Sequence, residues 1–229
     1  EPGFAVQLRD RAHLHALEEQ DEVTSLVLTG RGRTFSAGLD LRQLLDGGTE
    51  YVTSLNVELR GALEELFAYP KPTVAAINGA AVAGGCIFAA ACDRRLIADG
   101  ARIGATELAV GVAFPVAALE ILRHACGSRT EAVVFGAGLL DAEHALSVGL
   151  VEEVIGSESL MSRAIALADQ LGSFPAHAYR LAKQQLRRPA LLRMQTDSRS
   201  VDPEACATWS LPETTARIQA QLESLSRRG

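Results

Sequence analysis

The pattern of apolar and polar positions changes character several times along the chain. Residues 7–22 carry apolar side chains at Leu8, Ala12, Leu14 and Leu17, the spacing of a short amphipathic helix, and SLVLTG after them is a strand pattern ending at Gly30. Beyond the GRGR turn, FSAGLDLRQLLDGG is a loop that enters a helix. Leu55, Leu59, Leu63 and Leu66 mark a further helical run over residues 54–69. Pro70 and Pro72 close it, because proline lacks the N–H a helix needs and its ring clashes with the preceding turn. PTVAAING is then a continuous apolar run with the length of a buried strand. AVAGGCIFAAACDRR passes from a small-residue turn into an apolar helix, with Gly84 and Gly85 at the change, and RRLIADG is strand-like again. Strands alternating with helices through the first two thirds predict an α/β fold.

From Asp141 the local signals sharpen. Asp141 is a natural N-cap for DAEHALSVG, Gly149 a natural terminator, and LVEEVI the strand that follows. Beyond Gly156 no strand pattern returns. Residues 159–186 are helical with a break near Phe174 and Pro175. Ser210 and Glu213 stand in capping-box spacing ahead of Ile218, Leu222 and Leu225, and RRPALLRMQTDSRSVDPEA between these helices reads as a linker.

Composition narrows the function classes. A chain of 229 residues with 48% hydrophobic and 22% charged side chains can bury a sizeable core. Its net charge of −6 argues against nucleic acid as the main partner, since a phosphate-tracking surface needs a basic excess. Lysine occurs only at Lys71 and Lys183, and this arginine- and alanine-rich usage suggests a GC-rich bacterial gene. Cys86, Cys92, Cys126 and Cys206 form no CxxC pair and no zinc spacing, so buried thiols in a reducing cytoplasm are expected, with no metal. EPGFAV does not read as a signal peptide, and no apolar run is long enough to span a membrane.

Several familiar sites are missing from the sequence: it has no GxxxxGK[ST] loop, GAGLLD lacks the last small residue of a dinucleotide fingerprint, and TFSAG lacks the first glycine of a nucleophile elbow. The histidines are scattered, with His13 and His15 on different helix faces. Two glycine-centred segments remain, SAGLDL at 36–41 and VAGGC at 82–86, each after a strand and before a helix. Backbone N–H groups at such places, favoured by the helix dipole, can polarise a thioester carbonyl and hold its enolate. Each segment taken alone reads first as a tight turn.

FSAGLDL, PKPTVAAINGAAVAGGC, CDRRLIADGARIGATELAVGVAFP and DAEHALSVGLVEEV, in this order and at these distances, resemble the crotonase family, the enoyl-CoA hydratase/isomerase superfamily. The likeness is close over residues 23–156 and loose over the helical tail. It implies a crotonase-like spiral of ββα repeats over 1–156, a helical oligomerisation region over 157–229 that builds homotrimers or hexamers, and an acyl-CoA thioester ligand. No separate cofactor is implied, because coenzyme A is part of the substrate. Matched by position, the oxyanion-hole amides would be those of Leu39 and Gly84, with Ala37, Ile87 and Phe114 in the pocket wall. Asp40 would cap the helix after it, and Arg42 is a candidate contact to a CoA phosphate. The chain departs from the family pattern near residues 6–7, where a strand hairpin is expected, and this affects the adenine pocket.

Family hydratases use two glutamates, and the first of those positions is Ile87 here; the second is Glu107. Hydration benefits from two acid/base groups, whereas moving a double bond from the 3,4 to the 2,3 position needs one carboxylate that carries a proton from C2 to C4. The resemblance is therefore strongest to the 3,2-trans-enoyl-CoA isomerases, with Glu107 as the catalytic group and Ile87 keeping the pocket apolar. Glu120 and Asp93 are assigned to structure. The alternatives are another crotonase-fold enzyme, either an enoyl-CoA hydratase or a thioester hydrolase or lyase, and a non-catalytic acyl-CoA binding protein.

Overall fold

A computed structural model describes residues 14–227. The helix expected over 7–22 is seen as a helical stretch at 14–18; Leu8, Ala12, His13 and the departure near 6–7 lie outside the described residues.

Each repeat contributes two strands and a helix. The first holds β1 (Leu26–Thr29), β2 (Thr34–Ser36) and α1 (Leu41–Ala68); the second holds β3 (Thr73–Ile77), β4 (Ala80–Val82) and α2 (Gly84–Ala91). The third holds β5 (Arg94–Ala98), β6 (Arg102–Gly104) and α3 (Val116–Cys126). After α4 (Thr130–Gly136), a last unit contains β7 (Leu140–Asp141), α5 (Ala142–Ser147) and β8 (Glu153–Ile155). The leading strands form one sheet in the order β1-β3-β5-β8, and the second strands form another in the order β2-β4-β6-β7. All pairs are parallel except β6 with β7. Distributing the two strands of every repeat between two sheets makes the chain wind as a spiral, so the α/β fold takes the crotonase form.

Local chemistry sets the element ends. Asp40 Oδ1 accepts the amides of Arg42 and Gln43 (2.9 and 3.3 Å) and starts α1. Gly48, at φ 62° and ψ −167°, kinks that helix, a conformation that glycine adopts without steric cost. Asp141 Oδ1 caps α5 through the His144 amide at 2.8 Å, and Gly149 ends the turn after it with φ +74°. β3 is buried at every position, as its unbroken apolar run requires. The short strands β2, β4, β6 and β7 were not legible in the sequence, because two or three residues show no alternation.

The helical tail comprises α6 (Leu160–Gly172), α7 (Ala176–Thr208) and α8 (Pro212–Ser226). The break near Phe174 and Pro175 is where it was expected, but two other expectations fail. The stretch 187–205 is no linker: it lies inside α7, despite Pro189 and Pro203. The buried face of α7 is Lys183, Arg187, Ala190, Met194, Ser198 and Ala205, a helical spacing whose polar members hide the apolar periodicity. The capping box at Ser210 is not used either. The helix begins with Pro212 at its first turn after Leu211, and no side chain caps it.

Asp93 explains the buried charges of α7. Its carboxylate receives Lys183 Nζ at 2.8 Å and the Arg187 guanidinium at 2.7 Å, together with the Thr73 amide and the Tyr179 hydroxyl. Lys183 also donates to the Lys71 carbonyl, and Arg187 lies over the Phe67 ring at 4.3 Å. Removing Asp93 would leave two buried cations uncompensated, at a cost of about 3–5 kcal/mol. Glu120, also buried, pairs with Arg123 and with Arg193 of α7. Asp93 and Glu120 thus both fasten the tail to the spiral. Among the described residues no helix is long and apolar enough to cross a membrane.

Candidate active site

Two turns at the ends of β2 and β4 face the same space. Between β2 and α1, Gly38 has φ +85°, and a Cβ placed there would lie 2.9 Å from the Val82 carbonyl oxygen. Only glycine allows the β2 loop to approach the β4 turn this closely. Between β4 and α2, Ala83 has φ 50° and ψ −120°, a region that alanine rarely occupies and that costs about 1–3 kcal/mol. The Ala83 amide is tied to the Gly104 carbonyl at 2.9 Å, which holds the strained turn in place.

The adjacent glycines of that turn serve different ends. A Cβ on Gly84 would meet nothing within 4 Å, so Gly84 borders open cavity; a Cβ on Gly85 would come within 2.6 Å of the Ser36 Cβ, so Gly85 lets α2 pack on β2. The Gly84 amide is the first of α2 and carries the favourable end of the helix dipole. Neither the Leu39 amide nor the Gly84 amide donates to an acceptor among the described residues. Both donors border one cavity of about 780 Å³.

Glu107 opens a single 3-10 turn, Glu107–Val110, directly after β6. Its residue is half-buried, and its Oε2 is closed off from solvent without a hydrogen-bond partner. Burial pushes its pKa up from 4.5 to about 7, opposed in part by a hydrogen bond from its own backbone amide. Among the described residues it is the only carboxylate on the cavity wall. Ile87, 1% exposed, faces the same cavity, with Leu44, Leu59 and Leu63 of α1 extending the apolar surface. A carboxylate desolvated in this way is poised near neutral pH as an acid or base.

The tail completes the site, which the sequence did not indicate. Trp209 Nε1 donates to the Ala113 carbonyl at 2.8 Å, and Thr208 Oγ1 accepts the Ala113 amide at 3.0 Å. Thr214, fully buried, bonds through Oγ1 to the carbonyls of Gly111 (3.1 Å) and Thr208 (2.7 Å). Gly111 is the left-handed residue that ends the Glu107 turn, so α8 holds that turn from outside. Trp209, Arg217 and Leu225 also line the cavity. The tail, expected to serve assembly, therefore roofs the cavity of its own chain.

The structure brings Ala37, Leu39, Gly84, Ile87 and Glu107 onto one wall and leaves two expected residues off it. Phe114 is 5% exposed and packs in the core between the lining residues Val112 and Pro115 without bordering the cavity itself. Arg42 is exposed beyond the cavity at the start of α1, its amide bound to Asp40.

A spiral of ββα repeats whose glycine turns after β2 and β4, together with the carboxylate after β6, border one apolar cavity places the chain in the crotonase class. The enoyl-CoA hydratase/isomerase family model matches residues 11–211, and the chain belongs to this family. A Mycobacterium avium protein named a probable enoyl-CoA hydratase is 37% identical over 73% of this chain and 65% of its own length. A short-chain-enoyl-CoA hydratase of Clostridium acetobutylicum is 30% identical over 75% of this chain and 67% of its own. The chain thus spans about two thirds of the length of the curated relatives it matches. The human mitochondrial delta3-delta2-enoyl-CoA isomerase superposes with a TM-score of 0.90 at 27% identity, covering 96% of this chain and 88% of that one.

Proposed function

We propose that the chain isomerises 3-enoyl-CoA thioesters to 2-trans-enoyl-CoA, with Glu107 as the sole proton carrier. The observation that carries this reading is a cavity with one carboxylate, whose other family acid/base position is the buried, apolar Ile87. The thioester oxygen would accept hydrogen bonds from the Leu39 and Gly84 amides, which have no other acceptor. Ionised Glu107 takes a proton from C2; the C2–H electron pair enters the conjugated system, and the dienolate charge rests on the thioester oxygen. The protonated carboxyl then returns the proton to C4, the double bond is left between C2 and C3, and Glu107 is again ionised. No water enters the balance, and the apolar wall around Ile87 keeps it out. The likeness to the human isomerase supports this reading.

Hydration is the second reading, favoured by the hydratase names of the curated relatives. It has to work with one carboxylate in place of two. The two reactions separate in deuterated water. Isomerisation of a 3-enoyl-CoA gives a 2-enoyl product with deuterium entering at C2 or C4 through exchange on Glu107, while hydration is read separately on a 2-enoyl-CoA, which takes up water across C2 and C3 to give a 3-hydroxyacyl product. Hydration of the 2-enoyl-CoA with no migration of the double bond in the 3-enoyl-CoA would exclude the isomerase; tight acyl-CoA binding with neither reaction and no exchange would leave a binding protein.

A further inference from the structure

Among the described residues, three charged side chains line the cavity: Glu107, Arg102 and Arg217. Neither arginine has a side-chain hydrogen bond or ion pair among the described residues. This is not for lack of acids, since the chain carries 28 acidic against 22 basic side chains. Asp141 lies directly across the β6–β7 ladder from Arg102, yet its carboxylate is engaged in capping α5 through the His144 amide. Glu213 stands one helical turn before Arg217 on α8 and forms no ion pair with it. Although a carboxylate stands near each, neither guanidinium is engaged by it, so two donor forks on the cavity wall are available to an anionic group on the ligand.

The strand order shows which end of the ligand this is. Across the sheet β2-β4-β6-β7, Leu39 follows β2, Gly84 follows β4 and Glu107 follows β6. Arg102 is the first residue of β6, at the other end of that short strand from the Glu107 turn, and pairs with β7 beside the cavity-lining Gly138 and Leu139. With the thioester carbonyl at the first two positions and C2 to C4 at Glu107, the acyl chain runs toward β7 and the CoA moiety leaves on the β2 side. Arg102 lies the length of the three-residue β6 from the Glu107 turn, about 10 Å at about 3.3 Å per residue, a span that a short acyl chain and the long arginine side chain bridge between them, while Arg217 reaches the same cavity from α8.

We propose that Arg102 and Arg217 form an anion subsite for the far end of the acyl group, and that the chain takes acyl thioesters whose acyl chain terminates in a carboxylate. This rests on the reading of the cavity as an acyl-CoA site. The guanidinium fork matches a carboxylate with two parallel N–H···O bonds, and the exposed position of both arginines spares them the desolvation a buried pair would suffer.

The test compares the six-carbon 3-hexenedioyl-CoA with 3-hexenoyl-CoA as substrates. The native chain should prefer the carboxylated thioester in kcat/KM, and Arg102→Ala or Arg217→Ala should each lower the ratio of carboxylated to uncharged substrate about tenfold or more. The same ratio is read as affinity by calorimetry with the saturated adipoyl-CoA and hexanoyl-CoA. If neither enoyl thioester turns over while adipoyl-CoA still binds with an arginine-dependent preference, the isomerase reading fails and the subsite stands. Equal handling of both thioesters by the native chain overturns the subsite. So does an equal loss of both, together with free CoA, in the arginine variants, which would place the guanidinium groups on the CoA phosphates.

Discussion

Replacing Glu107 by Gln should disable the chemistry and stabilise the fold in the same stroke. The carboxyl sits half-buried with an unpartnered Oε2, and its pKa is raised from 4.5 to about 7 by burial. A raised carboxyl pKa means that the folded chain holds the proton more tightly than the unfolded one. Below about pH 4.5 the group is protonated in both states and costs nothing; between pH 4.5 and 7 the unfolded chain ionises first, so the native protein loses stability as pH rises. At about 1.4 kcal/mol per pH unit, the loss levels off at about 3 kcal/mol above pH 7. Gln retains the size and lacks the charge. The variant should therefore match the native chain near pH 4.5 and exceed it by up to about 3 kcal/mol at pH 8, a rise of roughly 6–12 °C in Tm for a chain of this size. Isomerisation should fall by about a hundredfold to ten-thousandfold, the usual contribution of a positioned general base. In the native chain, kcat/KM should climb tenfold per pH unit below about pH 7 and flatten above it, because the ionised form starts the reaction. Urea or thermal melts at pH 5 and pH 8, paired with isomerase assays across that range, measure both effects. Near-native isomerisation by the Gln variant would falsify the single-carboxylate mechanism, and identical melts at pH 8 would show that Glu107 is not desolvated.

The remaining predictions concern the other walls and the surface. Ile87→Glu supplies a second carboxylate at a position 1% exposed, so it should add measurable crotonyl-CoA hydration, reduce isomerisation and lower stability by a few kcal/mol; a folded, thioester-binding variant with no hydration would show that position 87 does not separate the two activities. Thr214→Val removes the bonds to the Gly111 and Thr208 carbonyls, so kcat should drop more than KM rises, and the pH profile should move as the Glu107 turn loosens; an unmoved profile would assign Thr214 to stability alone. Phe135 and Leu186, 72% and 70% exposed, join Phe174 and Leu192 as apolar surface on α4 and the tail, so the chain should assemble as a trimer or a dimer of trimers. A monomer by light scattering at micromolar concentration contradicts this.

What was legible in the sequence is what local chemistry decides. Asp40 and Asp141 cap helices because a carboxylate next to free amides needs no distant partner. Pro70, Gly149 and the TVAAI run mark their elements for equally local reasons. The order of motifs was enough to indicate the family, and to bring Leu39, Gly84 and Glu107 forward as a set. Tertiary structure decided the rest. A three-residue strand such as β4 exists only through its partners β2 and β6, which lie distant in the chain. The polar face of α7 is stable only because Asp93 waits beneath it, so the same residues looked like a linker when read alone. Phe114 is buried in the core while Val112 and Pro115 on either side of it border the cavity, a distinction that only the packing around them makes. Trp209 and Arg217 reach the cavity, and Thr214 holds the Glu107 turn, because α8 folds back over that turn. Even the acidity of Glu107 belongs to the fold: the residue type was visible from the start, but a pKa of about 7 arises only when surrounding side chains and backbone take the place of water.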